Sequence, residues 1–249
     1  MLWWQQDVGA GVRVAFTDRS AGNLALHTGD DAGAVRRRRA ALERAMGVPA
    51  GSLVFLHQVH GAEVADADRP GRPAVPTADA AVTVRGAPLA VLVADCVPVV
   101  LVGDGPDGPV TAVVHAGRRG LLDGVLRGAV GQLRARGGGG LRAWLGPSIC
   151  GHCYEVPAEM REESARRVPA VAAETSWGTP ALDLRAGARQ LLAGLGVATA
   201  EAAADGPSCT FENGRLSSHR RDPGSGRIAG LVWRAADPVG GPGRPGRPA

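Results

Sequence analysis

Asp95 and Cys96 interrupt one of the most apolar stretches of this sequence, PLAVLVADCVPVVLVG at 88–103. A carboxylate inside a buried strand costs on the order of several kcal/mol unless it is paired or bound to a metal. Two histidines stand at comparable places. His60 ends SLVFLHQVH and His115 ends PVTAVVH, each where a strand-like run meets a glycine-containing loop. Taken singly, each imidazole reads as a satisfied polar residue, Cys96 as a small buried hydrophobe and Asp95 as a carboxylate bonded to backbone amides. Taken together, two imidazoles and one thiolate make a Zn²⁺ ligand set with an open fourth position, the catalytic form of a zinc site. The three ligands lie far apart in sequence, so no local spacing motif supports them.

Arginines supply a second chemistry. HAGRRG (115–120) is a Gly-rich turn opening a helix with Arg118 and Arg119 in it. Backbone N–H groups beside guanidinium suit an oxyanion such as phosphate. SHRRD (218–222) is read as a hairpin strand, on which Arg220 and Arg221 face opposite sides, one of them toward an anion or Asp95. Cys150 and Cys153 have CxxC spacing. Without a thioredoxin-like βαβ context or a second CxxC, a zinc ribbon is excluded and a redox role gains little.

The elements that must position these residues follow from periodicity and punctuation. Strands are expected at 11–17, 52–59, 80–84, 88–103, 109–115 and 141–146, with a loop at 22–31 and a Pro/Asp-rich loop at 65–79. Helices are expected at 32–46, capped by Asp30 or Asp31 and stopped by Gly47, and at 121–136, 158–167 and 183–195. The Arg36–Arg39 run reads as a solvated helical face. Residues 207–233 read as a twisted hairpin, and 235–249 as a flexible Gly/Pro/Arg tail after a domain spanning 1–234. Strands and helices mix without βαβ alternation, so the fold class is α+β, a single domain with a mixed β-sheet core flanked by helices.

Composition narrows the function classes. The 249 residues are 45% hydrophobic and 21% charged, a globular ratio. No apolar run reaches about 18 residues, the N-terminus carries no signal-peptide pattern, and four cysteines are too few for a disulfide scaffold. A cytoplasmic protein with reduced thiols is expected, with no membrane partner. All 28 basic residues are Arg, yet the net charge is only +4 and aromatic residues make up 4%. Neither argues for a nucleic-acid partner. Nothing marks an interface, so a monomer or weak homodimer is expected.

Several stretches together resemble the YfiH/laccase-domain family, whose members are described as purine nucleoside phosphorylases, polyphenol oxidoreductases or peptidoglycan editing factors. They are NLALHTGDD (23–31), HQVHG (57–61), ADAAVT (78–83), ADCVPVVL (94–101), VVHAGRRG (113–120), LGPSICGHCYEV (145–156), SCT (208–210) and SHRRDPGSGR (218–227). They run in family order from about residue 13 to 233. The resemblance implies a YfiH-like α+β domain with metal ligands at His60, Cys96 and His115. It implies Zn²⁺, with copper claimed for some members. It also implies phosphorolysis of adenosine, inosine, guanosine and methylthioadenosine, together with adenosine deamination. Two departures stand out: Arg118 replaces a Trp of the family's HAGWRG, and only Cys153 of a paired-cysteine motif is in place, with Cys150 and His152 new.

Purine nucleosides and phosphate are thus the expected partners. For deamination a metal-activated water would attack C6 of adenine, with Asp95 either carrying the proton or orienting a ligand. For phosphorolysis Arg119, with amides near Gly117 and Gly120 and with help from Arg220, would hold phosphate against C1′. Asn23 is expected to touch ribose or base, and Arg118 can stack on a purine. The alternatives are a Cys–His hydrolase editing peptidoglycan precursors, with Cys96 as nucleophile and His115 as its base, a copper-dependent polyphenol oxidase, and a non-enzymatic protein with structural zinc. Six His and four Cys are few for multiple copper centres, and three ligands rather than four argue against a structural role.

Overall fold

Apolar runs generate two large sheets whose central strands are buried on both faces, beside a third sheet of two short strands. The computed structural model describes residues 1–71, 74–202, 204 and 206–235. In chain order, β1 (Leu2–Asp7) and β2 (Val12–Thr17) pair as a hairpin. Helix α1 (Ala32–Met46) begins at Asp31, whose carboxylate accepts from the Ala34 amide, and stops at Gly47, which has φ 70°. Next come β3 (Val64–Asp66), β4 (Ala80–Thr83), β5 (Leu89–Val93), β6 (Val97–Gly105) and β7 (Gly108–Ala116). They are followed by α2 (Arg118–Asp123), α3 (Val125–Ala135), β8 (Gly139–Leu145) and α4 (Ala158–Arg167). The chain continues with β9 (Ala172–Glu174), β10 (Pro180–Leu182), α5 (Leu184–Gly194), β11 (Ala198–Glu201) and β12 (Ile228–Arg234).

Strands β1-β2-β12-β5 form an antiparallel sheet of four. Strands β11-β8-β6-β7-β4-β3 form a mixed sheet of six, antiparallel at its centre and parallel at both edges. Val14, Phe16, Val91 and Val93 of the first sheet meet Val100, Val113 and Trp144 of the second. The intervening residues face outward to helices, as the period of two requires. Ala15, Ala90, Leu92 and Leu231 pack with Leu42 and Met46 of α1. Val99, Leu101, Ala112 and Val114 pack with Leu121, Leu126, Val130 and Leu192 of α2, α3 and α5. The result is helix, sheet, sheet, helix, and the α+β expectation holds.

Several local expectations do not. The run 88–103 is two strands in two different sheets, not one strand. The chain crosses between sheets at 94–96, where Asp95 takes φ 90°. Asp95 and Cys96 therefore sit at a corner, half-exposed, rather than inside a strand. The predicted helix 121–136 starts earlier and is broken by Gly124 at φ 96° into α2 and α3. Residues 52–59 contribute isolated bridges, Val54 to Leu89 and His57 to Thr77. Glu43 of α1 holds the start of that segment by accepting from the Gly51 and Leu53 amides. The loop predicted at 65–79 begins with the short strand β3.

The expected hairpin at 207–233 is a strand only from Ile228 onward. The segment before it is organised by one side chain. The Arg221 guanidinium donates to the carbonyls of Thr210, Phe211, Asn213 and Leu216. These bonds satisfy backbone oxygens that a hairpin would have paired. The arginine run of α1 is solvated only in part. Arg38 pairs with Asp30, while Arg39 donates to the Leu24 carbonyl and lies 3.7 Å over the Phe55 ring. Of the expected tail, residues 236–249 lie outside the described residues.

Candidate metal centre and its cavity

His60, Cys96 and His115 come from three separated segments and converge at one end of the six-stranded sheet. His115 is placed by the C-terminal end of β7, opposite Pro98 of β6, and Cys96 by the crossover just before β6. His60 sits in the loop after 52–59 with φ 59°. Among the described residues three non-glycine residues have positive φ, and two of them, His60 and Asp95, are at this site. Such strain persists only where surrounding bonds hold it.

Asp79, just ahead of β4 and fully buried, is the group that holds His60. One carboxylate oxygen accepts from the His60 amide at 2.9 Å, the other from Val59 at 3.1 Å and Gly61 at 2.7 Å. The first oxygen also lies 2.7 Å from His115 Nδ1. Burial would raise the Asp79 pKa, but the His115 hydrogen bond and the backbone donors outweigh it and keep the carboxyl below its usual range. As an ionised acceptor Asp79 fixes the proton on Nδ1, leaving Nε2 as the ligand atom.

The three ligand atoms lie within 4.8 Å of one another, with Cys96 Sγ 3.8 Å from His60 Nε2. A tetrahedral centre with ordinary Zn–S and Zn–N lengths needs about 3.6 Å along that edge. That edge therefore matches a zinc-sized ion, and the soft thiolate with two imidazoles suits copper as well. Gly117 completes the cradle. A Cβ there would come 2.8 Å from His60 Cδ2 and 3.2 Å from Cys96 Sγ, so the close approach of this backbone requires glycine.

Electrostatics prepare the ligands. Burial would raise the Cys96 pKa, but the His115 charge and hydrogen bonds from both histidines bring it down to about 6. Burial would lower that of His115, but the thiolate and Asp79 push it up to about 9. Both directions favour a thiolate beside an imidazolium, and a bound cation would stand in place of the imidazolium's Nε2 proton.

These ligands open onto a cavity of about 520 Å³, within the usual range for small-molecule sites. Four arginines line it, Arg118, Arg119, Arg220 and Arg227, against the single carboxylate of Asp95. Their engagement differs. Arg118 is tied to α4 through Ser164 Oγ at 2.8 Å and Glu163 at 2.6 Å. Arg220 lies 5.3 Å over the Tyr154 ring and donates to the Glu155 carbonyl. The exposed Arg119 side chain has no hydrogen-bond or ion-pair partner among the described residues. Burial lowers the Arg227 pKa, with Cys96 and Asp95 opposing it.

Asp95 accepts from Thr210 Oγ1 at 2.6 Å and from the Arg220 amide at 2.7 Å. Among the described residues its carboxylate makes no hydrogen bond to His60, Cys96 or His115, and it locks the 210–220 segment to the crossover. Asn23 does not line the cavity. Its amide group donates to Ala25, Thr28 and Asp30, and its oxygen accepts from the Ala25 and Arg227 amides. It organises the loop that carries His27 and Arg227 to the cavity. Sequence reasoning passed over Asp79, His27, Tyr154 and Arg227. Asp79 had one visible signal, a lone carboxylate directly before the apolar AAVTV.

Residues 11–235 match the family model described as multi-copper polyphenol oxidoreductase laccase. A purine nucleoside phosphorylase of Streptomyces coelicolor is 46% identical over 92% of this chain and 98% of its own length. One of Mycobacterium tuberculosis is 42% identical over 85% and 84%. Among solved structures, a Neisseria meningitidis protein superposes with TM-score 0.79 at 29% identity, over 94% of this chain and 99% of that one. YfiH of Bacillus licheniformis gives 0.76 at 25% identity, over 89% and 92%. On that match and that fold, the chain belongs to the multi-copper polyphenol oxidoreductase laccase family, the YfiH family.

Proposed function

We propose that this chain is a zinc-dependent purine nucleoside phosphorylase that also deaminates adenosine. The observation that carries the reading is one cavity holding both a three-donor metal set and an excess of guanidinium groups. Relatives named purine nucleoside phosphorylase at 38–46% identity point to the same substrates. When bound, zinc at His60, Cys96 and His115 would act as a Lewis acid and lower the pKa of a coordinated water toward about 7.

The chain's own residues do the rest. Arg119, the uncommitted guanidinium, binds phosphate, with Arg220 beside it. Because Arg220 is steadied by Tyr154 and Glu155, it orients the anion rather than following it. Arg118, drawn to Glu163, shapes the cavity wall at the place of the family's Trp. Desolvation lowers the His27 pKa, keeping it a neutral donor and acceptor at the rim for a purine edge. Asp95 lines the cavity and serves as proton carrier in deamination, while positioning Arg220 in phosphorolysis. Asn23 acts on substrate through Arg227.

A second reading rests on a specific geometry. Asp79, His115 and the Cys96 thiolate form the carboxylate–imidazole–thiol order of a cysteine hydrolase. It predicts a covalent Cys96 adduct in metal-free protein. The deciding experiment incubates zinc-analysed protein with adenosine, with and without phosphate, and identifies products. Adenine with ribose 1-phosphate only in phosphate supports phosphorolysis, and inosine without phosphate supports deamination. Neither product from zinc-loaded protein overturns the proposal.

A further inference from the structure

A second convergence of metal-binding side chains lies outside the site described above. Cys150, Cys153, Cys209 and Glu212 bring their donor atoms within 4.8 Å of one another, and all the cysteines are free thiols. We propose that these four residues form a second metal site, a structural zinc centre joining the 146–156 loop to the 207–213 segment.

The local backbone is arranged for it. The amides of Cys153 and Tyr154 both bond to the Cys150 carbonyl, a tight turn that puts the two CxxC sulfurs on one side. Cys209 is brought alongside by a parallel bridge to Ser148, with Ser148 N bonded to Ser208 O and Thr210 N to Ser148 O. The Cys150 amide donates to Cys209 Sγ at 3.4 Å, an orientation that stabilises negative charge on a ligating sulfur. A tetrahedral zinc with thiolate ligands needs sulfur separations of about 3.8 Å, so the cluster has to contract by at most about one ångström. A disulfide would use two sulfurs and leave a third thiol and a carboxylate converging without purpose.

The count of donors separates the two sites. His60, Cys96 and His115 leave a position open, as a reactive centre requires, whereas four protein donors close the second site, as a structural centre requires. Cys153 and Cys209 are buried and Glu212 is exposed, so the ion would enter from the Glu212 side. The staple would act on the cavity. Ile149, next to Cys150, donates its amide to the Asp95 carbonyl, and Thr210, next to Cys209, holds the Asp95 carboxylate. Cys150 is one of the chain's departures from the family pattern, so the proposal is made for this chain.

The test uses the full chain with the first site removed, His60→Ala/Cys96→Ala, loaded with zinc, desalted and analysed for metal. About one zinc per chain is expected there and about two in the unmodified protein, and Co²⁺ in its place should show charge-transfer absorption from three thiolates. Glu212→Gln in the same background changes one exposed ligand and leaves the fold intact, and it should weaken zinc affinity at least about tenfold. The proposal is overturned if the double variant retains no zinc or if Glu212→Gln binds zinc unchanged. It is also overturned if thiol titration of non-reduced, denatured protein finds two thiols fewer than the cysteines present, which would mean a disulfide.

Discussion

Replacing Asp79 by Asn leaves volume nearly unchanged but removes the charge that organises the metal centre. Each carboxylate oxygen serves two donors: His60 N and His115 Nδ1 on one, Val59 N and Gly61 N on the other. An amide must turn its NH₂ toward one of these pairs. Facing the Val59 and Gly61 amides keeps the His60 and His115 bonds but leaves two part-buried N–H groups without an acceptor. Each costs about 1 kcal/mol, the low end for a stranded group because both residues reach solvent, so the metal-free fold should lose about 2 kcal/mol. Zinc affinity should fall about 10–100-fold, or about 1.4–2.7 kcal/mol, because the Val59 and Gly61 bonds that flank His60 are lost and His115 loses a charged partner. Denaturant unfolding of metal-free protein reads the first number, and competition with a chromophoric chelator reads the second. A variant within about 0.5 kcal/mol of the original stability, binding zinc as tightly as before, would refute the reasoning.

Other outcomes follow from single contacts. Gly117→Ala has an allowed backbone (φ −74°, ψ 165°), so the fold should persist while the new methyl, 2.8 Å from His60, lowers zinc affinity at least about tenfold by the same chelator assay. Arg119→Ala should raise the KM for phosphate about tenfold or more and leave zinc content unchanged; an unaltered phosphate KM would move the anion site elsewhere. Asp18 and Asp66 are held below the usual carboxyl range because bonds from Ser20 and Arg215, and from Arg136, outweigh burial. Their contribution to stability is therefore complete above about pH 4, the unfolded value, and is lost as pH falls through the lower folded values. Asp18→Asn should flatten the acid side of a stability–pH profile, and an unchanged acid limb would contradict this.

His60, Cys96 and His115, which the fold brings together, stood out in the sequence as candidate ligands because polar residues at the ends of apolar runs are physically expensive. The sheet crossover that brings them together was not. Strands β5 and β6 are both buried on both faces, so 88–103 reads as one continuous apolar run, and the positive φ of Asp95 leaves no mark in composition. Helix α1 was legible through its Asp31 cap and Gly47 stop, and α4 and α5 were placed from the sequence with nearly the same bounds. The 207–227 segment was not, because long-range side-chain bonds from Arg221 replace the ladder that its turn residues suggest. Asp79 was missed for a related reason: its four donors come from residues about 20 and 36 positions away.

Phosphate-dependent release of ribose 1-phosphate from adenosine, measured beside zinc content in the unmodified chain and in Cys96→Ala, tests the central claim most directly. Loss of the product together with the zinc bound at His60, Cys96 and His115 is the predicted result. Phosphorolysis persisting in Cys96→Ala protein without metal at that site would contradict the account.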